Sequence, residues 1–224
     1  MPVLENAYTK IVQECRARQV TLVAVSKTKP VEDILALYAM GHRDFGENYV
    51  QELVEKQALL PTDIRWHFIG HLQSNKIKYI APFVHLIHGV DSLKLLQEIN
   101  KQGAKNARRI NCLLQLYVAK EETKFGLDEK ELNELLESYS VHDDLEYTGI
   151  CGLMAMASFT EQRDIIRAEF KKVKALFDAV KDNYFYDDDR FREISMGMSS
   201  DYTLAMEEGS TMIRIGSLIF GDRN

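Results

Sequence analysis

The sequence predicts an α/β protein folded as a single (β/α)8 barrel of the TIM type, with an extra helix at its N-terminus. Three observations lead to this prediction. The chain has 224 residues, a length that one hydrophobic core can support. Eight short apolar runs alternate along it with segments of helical periodicity. Runs such as LVAV and CLLQLYV are continuously apolar, which is typical of parallel strands covered on both faces.

The predicted elements follow one another in a regular order, beginning with the extra helix over residues 4–18. The eight predicted strands are Thr21–Lys27, Arg43–Glu47, Arg65–Gly70, His85–Val90, Asn111–Val118, Tyr147–Met154, Arg192–Gly197 and Met212–Gly221. Parallel strands need crossover connections, and eight of them close naturally into a barrel. A doubly wound open sheet is the competing architecture, but no GxGxxG motif follows the first strand. We expect residues 1–224 to form one domain.

Helical signals occupy the segments between the strands. The clearest is a set of apolar residues that lie on one helical face: Ile166, Phe170, Val173, Phe177 and Val180. Pro30 suits a first helical position. Asp128 with Glu131 resembles a capping box, and Thr160 is predicted to cap the following helix.

Composition excludes several classes of function. Lys and Arg number 28 against 34 Asp and Glu, and a net charge of −6 argues against a general nucleic-acid binder. The three cysteines are far apart and form no metal-ligand or disulfide pattern, which fits a reducing cytoplasm. The N-terminus lacks the apolar region of a signal peptide, and the longest uncharged stretch is shorter than a membrane span. We expect a cytoplasmic protein without a nucleic-acid or membrane partner.

The carboxyl ends of barrel strands usually carry the functional residues, and Lys27 lies at the end of the first strand. A lysine at a strand end is most often solvated. Here it follows the apolar run LVAV, so its amine is expected beside low-dielectric walls, where it loses a proton more readily and becomes nucleophilic. The second strand ends near Glu47 and Asn48, and Lys29 lies in the loop after the first strand.

The last two strands suggest a phosphate site, which barrels often place at this position. Gly197 is expected to let backbone approach a ligand, and Ser199, Ser200 and Asp201 are predicted to open a helix whose free N–H groups favour an anion. Gly216 and Ser217 follow the last strand and add further donors. The alternative is that these serines only cap a helix and the glycines only turn the chain.

Arg214 lies inside the otherwise apolar stretch MIRIGSLIF. Burying a guanidinium without a partner is costly. Arg214 is therefore expected to meet either an acid, in a structural ion pair, or a ligand atom, and the sequence does not decide between them.

Four stretches together resemble the pyridoxal phosphate homeostasis protein family, single-domain relatives of the alanine racemase N-terminal barrel. They are AVSKTKP, FGENYVQE, WHFIGHLQSNK and ISMGMSSDYTLAMEEGSTMIRIGSLIFG. The resemblance implies that Lys27 holds pyridoxal 5′-phosphate (PLP) as an internal aldimine, and that Ser199, Gly216 and Ser217 contact its phosphate. It also implies that Arg214 faces the pyridine nitrogen and that Asn48 lies near the cofactor.

The resemblance further implies a role in intracellular PLP (vitamin B6) and amino-acid homeostasis rather than catalysis. An arginine at the pyridine nitrogen makes the ring a weaker electron sink than a carboxylate would. Because the chain ends at Asn224, we also expect no second domain to supply another base. PLP-dependent apo-enzymes are the implied recipients of the cofactor, and a monomer is expected.

Three alternatives remain open. The first is a PLP-dependent amino-acid racemase or decarboxylase, which needs a second acid or base at the cofactor. The second is a metal-dependent hydrolase, suggested by His67, His71, His85 and His88. We expect these histidines instead to be surface residues or hydrogen-bonded core residues. The third is an interaction scaffold.

Overall fold

The computed structural model describes residues 3–118, 125–141 and 145–221 and shows eight parallel strands closed into a barrel in sequence order. The predicted TIM-type fold is therefore confirmed. The strands are β1 (Thr21–Val25), β2 (Asp44–Glu47), β3 (Arg65–Phe68), β4 (Leu86–Val90), β5 (Ile110–Leu116), β6 (Thr148–Ala155), β7 (Glu193–Ser195) and β8 (Met212–Ile215). Pairing of β1 with β8 closes the ring.

Helices surround this barrel and connect its strands. They are α1 (Glu5–Arg18), α2 (Val31–Ala39), α3 (Val50–Leu59), α4 (Ile77–Ile80), α5 (Leu93–Lys105), α6 (Glu129–Val141), α7 (Arg163–Tyr184), α8 (Tyr202–Glu207) and α9 (Ser217–Phe220). A single turn of 3₁₀ helix, Ser74–Lys76, precedes α4. No helix in the described ranges combines the length and hydropathy needed to cross a bilayer.

The predicted N-terminal helix is present as α1, and it is hydrogen-bonded to the short helices near the C-terminus. The N–H of Leu4, just before α1, donates to the Ile219 carbonyl of α9 at 2.8 Å. Tyr202 at the start of α8 donates its hydroxyl to Glu14 at 3.0 Å. The extra helix thus fixes the two short helices that follow β7 and β8.

Of three predictions about helix starts, one is confirmed and two are wrong. The capping box at Asp128 and Glu131 is confirmed, because each side chain accepts from the other residue's N–H, at 2.8 and 2.9 Å. Thr160 is not the cap of α7; it accepts from the N–H of Gln162, which is itself the N-cap residue. Pro30 occupies the N-cap position of α2 rather than its first helical position.

The last strand is shorter than predicted. Strand β8 ends at Ile215, and the apolar residues after Gly216 form α9 instead of continuing the strand. Its ladder with β1 ends at the pair of Ala24 and Ile215. The chain turns at Gly216, and α9 begins at Ser217.

The core has two layers, as expected for a barrel with a helical coat. A large apolar cluster fills the space between strands and helices. A second cluster lies inside the barrel: Val23, Leu86, Leu113, Cys151, Met154 and Met212. Because side chains alternate along a strand, His88 and Arg214, two residues beyond Leu86 and Met212, also point into the barrel.

Candidate functional site

A cavity of about 450 Å³ opens at the carboxyl ends of the strands, a volume typical of small-molecule sites. It is lined by all six residues proposed from the sequence: Lys27, Asn48, Ser199, Arg214, Gly216 and Ser217. These residues come from the ends of β1, β2, β7 and β8. The barrel topology therefore brings together side chains that are up to 190 positions apart in the sequence.

Lys27 lies in a tight turn directly after β1 and is half-buried at the cavity. The N–H of Lys29 donates to the Ser26 carbonyl at 3.0 Å and closes the turn. Thr28 has a φ of +63°, which is unfavourable for a β-branched residue. Such strain, about 1–3 kcal/mol, persists only where surrounding contacts impose it.

Those contacts come from a cluster of the turn, β2 and α3, which we call the turn support: the buried Ser26, Glu47 and Lys56, and the partly buried Glu52. Lys56 Nζ donates to the Ser26 carbonyl at 2.7 Å and to Glu47 at 2.8 Å. The Ser26 hydroxyl donates to Glu47 at 2.6 Å, and the Thr28 N–H donates to Glu52 at 2.5 Å. Burial raises the pKa of Glu47, an effect that Lys56 and Ser26 oppose. Glu47 thus holds the turn and does not line the cavity itself.

Lys29 joins this turn to the opposite side of the cavity. Its Nζ donates to the carbonyl oxygens of Phe220 and Gly221, at 3.0 and 3.3 Å. These carbonyls lie at the end of α9, the helix that begins with Ser217. Lys29 therefore fixes the relative positions of Lys27 and Ser217.

The β7 and β8 ends present donors to the same cavity. Ser199, Ser200 and Ser217 line it, and the N–H groups of both Ser199 and Ser200 make no hydrogen bond within the described ranges. The segment is shaped by Asp201, whose carboxylate accepts from the Met198 N–H at 2.6 Å. Backbone and hydroxyl donors directed at one space are suited to an anion such as a phosphate.

Gly197 has a different role from the one expected. Its φ is +97°, and a Cβ there would lie 2.6 Å from the Ala205 Cβ in α8. The space that the glycine leaves open is therefore taken by a packed helix and not by a ligand. Gly197 still positions Ser199, because it lets α8 pack against β8.

Arg214 is buried and faces the cavity from β8. Its guanidinium donates to the Ser195 carbonyl at 2.8 Å, to the Ser195 hydroxyl at 2.6 Å and to the Ala155 carbonyl at 3.0 Å. All three acceptors are neutral, and burial lowers its pKa to about 10. Of the two alternatives left open by the sequence, the geometry favours ligand contact, since Arg214 has no carboxylate within ion-pair distance in the described ranges.

Asn48 contributes an acceptor to the cavity. A Cβ at Gly70 would lie 2.4 Å from the Asn48 carbonyl oxygen, so only glycine allows this approach of β3 to the end of β2. The Asn48 Oδ1 atom is buried and finds no donor within the residues that the structure describes. A buried acceptor without a partner costs about 1–3 kcal/mol. A ligand donor in the cavity would remove that cost.

The histidines occupy separate environments. His67 and His88 are buried inside the barrel and hydrogen-bonded to each other, whereas His71 stacks on Phe125 with ring centroids 4.3 Å apart. His85 lies just before β4, near the amino ends of the strands. Across the described ranges, no three His, Cys, Asp or Glu side chains are grouped as metal ligands. The hydrogen-bonded core role expected from the sequence holds for His67 and His88.

Comparison of the sequence with known proteins identifies a matching family and several relatives. Residues 3–224 match the family described as alanine racemase, N-terminal domain. The pyridoxal phosphate homeostasis protein of Aquifex aeolicus is 40% identical over 203 residues, covering 90% of this chain and 86% of the relative. That of Schizosaccharomyces pombe is 37% identical over 223 residues, covering 98% and 91%.

Comparison with solved structures identifies related proteins as well. PipY of Synechococcus elongatus PCC7942, with PLP bound, superposes with a TM-score of 0.84 at 35% identity, covering 94% of this chain and 98% of PipY. Alanine racemase of Bartonella henselae shares the fold at a TM-score of 0.69 and 18% identity, covering 95% of this chain and 56% of the racemase. The chain thus belongs to the pyridoxal phosphate homeostasis protein family, within the broader family of alanine racemase N-terminal domains.

Proposed function

We propose that this protein binds PLP in the cavity at the carboxyl ends of its strands, carries it covalently on Lys27 and serves intracellular PLP and amino-acid homeostasis. One observation carries the proposal: a single cavity is lined by a strand-end lysine, a buried arginine and the serines after β7 and β8. The names of the relatives and the PLP bound to PipY support it.

The residues present fit the chemical groups of PLP. Lys27 supplies the amine; its nitrogen joins the aldehyde carbon, and one water molecule leaves. Ser199, Gly216 and Ser217 supply donors for the phosphate, and Asn48 supplies the unpartnered acceptor. Arg214 would donate to the pyridine nitrogen. When bound, the cofactor supplies an aldehyde for amines and a ring that accepts electrons.

The same residues favour a carrier over an enzyme. Arg214 cannot receive the proton that a carboxylate partner would share with the ring nitrogen, so the ring is a weaker electron acceptor. Among the described residues that line the cavity, the ionisable side chains are those of Lys27, Lys29 and Arg214. A racemase needs an acid or base on each face of the reacting carbon. We therefore propose binding and release of PLP without turnover.

We also propose the compartment, the partners and the oligomeric state of the protein. A net charge of −6 supports a protein that binds neither nucleic acid nor an anionic membrane surface. Cys15, Cys112 and Cys151 are buried free thiols, which supports a reducing cytoplasm. PLP-dependent apo-enzymes are the recipients we propose, with the protein acting as a monomer.

Borohydride trapping tests the covalent site directly. The purified protein is mixed with PLP, its visible absorbance is recorded, and it is then reduced and mapped by peptide mass spectrometry. We expect a visible band and a reduced PLP adduct on Lys27. The Lys27→Ala variant should lose both, because the other lysine among the described lining residues, Lys29, has its amine engaged by the carbonyl oxygens of Phe220 and Gly221.

A matched variant, Lys78→Ala, removes an exposed lysine outside the cavity and should keep the band and the adduct. A label mainly on another lysine would refute the assignment of Lys27. Absence of any visible band in the wild type would refute PLP binding itself.

A further inference from the structure

A chain of hydrogen bonds, which we call the interior chain, crosses the inside of the barrel and ends at Arg214. Its members are all buried: Asp44, His67, His88, Ser195 and Arg214. Asp44 accepts from His67 at 3.1 Å, and His67 Nδ1 lies 3.0 Å from His88 Nε2. His88 Nδ1 lies 3.0 Å from the Ser195 hydroxyl, which accepts from Arg214 at 2.6 Å. The chain thus connects the amino ends of the strands to the cavity.

Two links are fixed by the groups at the ends: Arg214 has only donors, so the Ser195 hydroxyl accepts from it, and Asp44 has only acceptors, so His67 Nε2 donates to it. In the assignment that continues this order inward, the Ser195 hydroxyl donates its own hydrogen to His88 Nδ1. His88 must then carry its proton on Nε2 and donate to His67 Nδ1. His67 in turn carries its proton on Nε2 and donates to Asp44. In this assignment each donor meets an acceptor along the whole interior chain.

The charges at the two ends support this assignment. Burial opposes ionisation of Asp44, but hydrogen bonds from His67 and Arg65 outweigh it, and the pKa of Asp44 lies below its usual range. Asp44 is therefore a carboxylate acceptor. Burial lowers the pKa of His88 well below its usual range, so its ring is neutral. The positive charge of the neighbouring Arg214 acts on the pKa of His88 in the same direction.

The interior chain holds the Arg214 cation, which is paired with no carboxylate in the ranges that the structure describes. Three neutral oxygens hold the Arg214 guanidinium, and the Ser195 hydroxyl is the one whose orientation depends on another side chain. With His88 as its acceptor, that hydroxyl keeps its lone pairs toward Arg214. Without His88, the hydroxyl hydrogen would be free to rotate toward the guanidinium.

We propose that Ser195 and His88 are positioning residues for the cofactor ring, acting through Arg214, with His67 and Asp44 setting the tautomer of His88. This inference rests on the proposed binding of PLP in the cavity. The interior chain keeps the Arg214 donor directed at the ring nitrogen and so maintains that nitrogen as an acceptor without a proton.

The test uses PLP labelled with ¹⁵N in the pyridine ring. The ¹⁵N chemical shift and visible absorbance of the bound cofactor are compared in the wild type, Ser195→Ala, Ser195→Thr and His88→Leu. We expect the ¹⁵N resonance to move in Ser195→Ala and His88→Leu and to return toward the wild-type position in Ser195→Thr, which retains a hydroxyl. Loss of one net hydrogen bond, about 1 kcal/mol, predicts about a fivefold weaker PLP affinity in Ser195→Ala.

Ser210→Ala is the matched control. The Ser210 hydroxyl is also buried between β7 and β8, where it lies within hydrogen-bond distance of backbone carbonyls, but it makes no hydrogen bond to Arg214 in the described ranges. Both serine variants should lose stability in urea unfolding, whereas only Ser195→Ala should move the ¹⁵N resonance. An unchanged resonance in a folded, PLP-loaded Ser195→Ala protein would overturn the interior-chain inference and leave PLP binding intact. A wild type that takes up no PLP would instead refute the proposed function.

Discussion

The two sides of the cavity are built on different principles. The lysine side, formed by the turn at Lys27, is held by buried charged groups of α3 and β2. The serine side, formed by Ser199 and Ser217, is held by backbone turns, glycine and short helices. The difference matches the task proposed for each: one side fixes a single reactive amine, and the other presents several weak donors to an anion.

The difference between the two sides also predicts how single substitutions on each side affect stability and PLP affinity. Removing one member of a buried ion pair leaves an uncompensated charge, whereas removing one donor among several leaves the remaining donors in place. The lysine side should therefore lose stability sharply after single substitutions. The serine side should lose affinity in small steps while the fold persists.

The largest effect is expected for Lys56→Met on the lysine side. This change leaves Glu47, which is fully buried, without its cation. We expect a loss of about 3–5 kcal/mol in the free energy of unfolding and weaker trapping of PLP on Lys27. Urea unfolding and borohydride labelling measure the two effects.

Two further variants sharpen this prediction. Lys130→Met removes a lysine from an exposed pair with Glu134 and should cost less than about 0.5 kcal/mol. The double variant Glu47→Gln with Lys56→Met removes both charges and should recover part of the lost stability. If Lys56→Met were no more harmful than Lys130→Met, the turn support would not stabilise the lysine side.

A smaller effect is expected for Gly197→Ala on the serine side. The added Cβ would lie 2.6 Å from Ala205, at a φ of +97° that disfavours alanine. We expect a loss of about 1–3 kcal/mol in the free energy of unfolding. Gly216→Ala is the control, because its Cβ would lie at an ordinary 3.4 Å from the Val25 carbonyl oxygen. Equal thermal stability of the two variants would contradict the packing role of Gly197.

Sequence reasoning identified lining residues on both sides of the cavity, but not the contacts that hold them in place. Lys27, Asn48, Ser199 and Ser217 could be predicted because barrel topology gathers residues that follow strands. Gly197 was correctly singled out but given the wrong reason, since only the structure shows α8 packed against it. The end of β8 was missed because an apolar run alone does not distinguish a strand from a short helix.

The interior chain and the turn support could not be predicted from strand-end positions. Asp44, His67 and His88 come from three strands, and their contacts depend on which side chains meet across the barrel interior. One signal was available: polar residues at inward-facing positions of otherwise apolar strands. Glu47 was proposed as a strand-end residue, but the pairing with Lys56 that turns it away from the cavity is a tertiary contact.

Single serine substitutions test the expected tolerance of the serine side. Ser217→Ala or Ser199→Ala removes one hydroxyl donor, and a hydrogen bond to a charged group is worth about 1.5–3 kcal/mol. PLP affinity should therefore fall about tenfold to a hundredfold with the unfolding midpoint unchanged. Equilibrium titration followed by visible absorbance measures the affinity. Pyridoxal without the phosphate should bind the wild type more weakly than PLP does, and equal binding would place the phosphate elsewhere.

The smallest effect is expected on racemisation, because neither side of the cavity supplies the second acid or base that this reaction needs. Replacing Arg214 with Glu should let the pyridine nitrogen bind a proton and strengthen the ring as an electron acceptor. Racemisation should nevertheless stay negligible, because the described lining residues offer no acid or base beyond Lys27, Lys29 and Arg214. The measurement is loss of the α-deuterium from labelled alanine in the wild type, Arg214→Glu and the uncharged control Arg214→Gln, each checked for folding. Exchange by the wild type at ordinary enzyme rates, about 1–1000 per second, would replace the carrier with a racemase-type enzyme. Exchange in Arg214→Glu alone would show instead that the residue facing the ring nitrogen, and not a missing acid, keeps this cavity from catalysis.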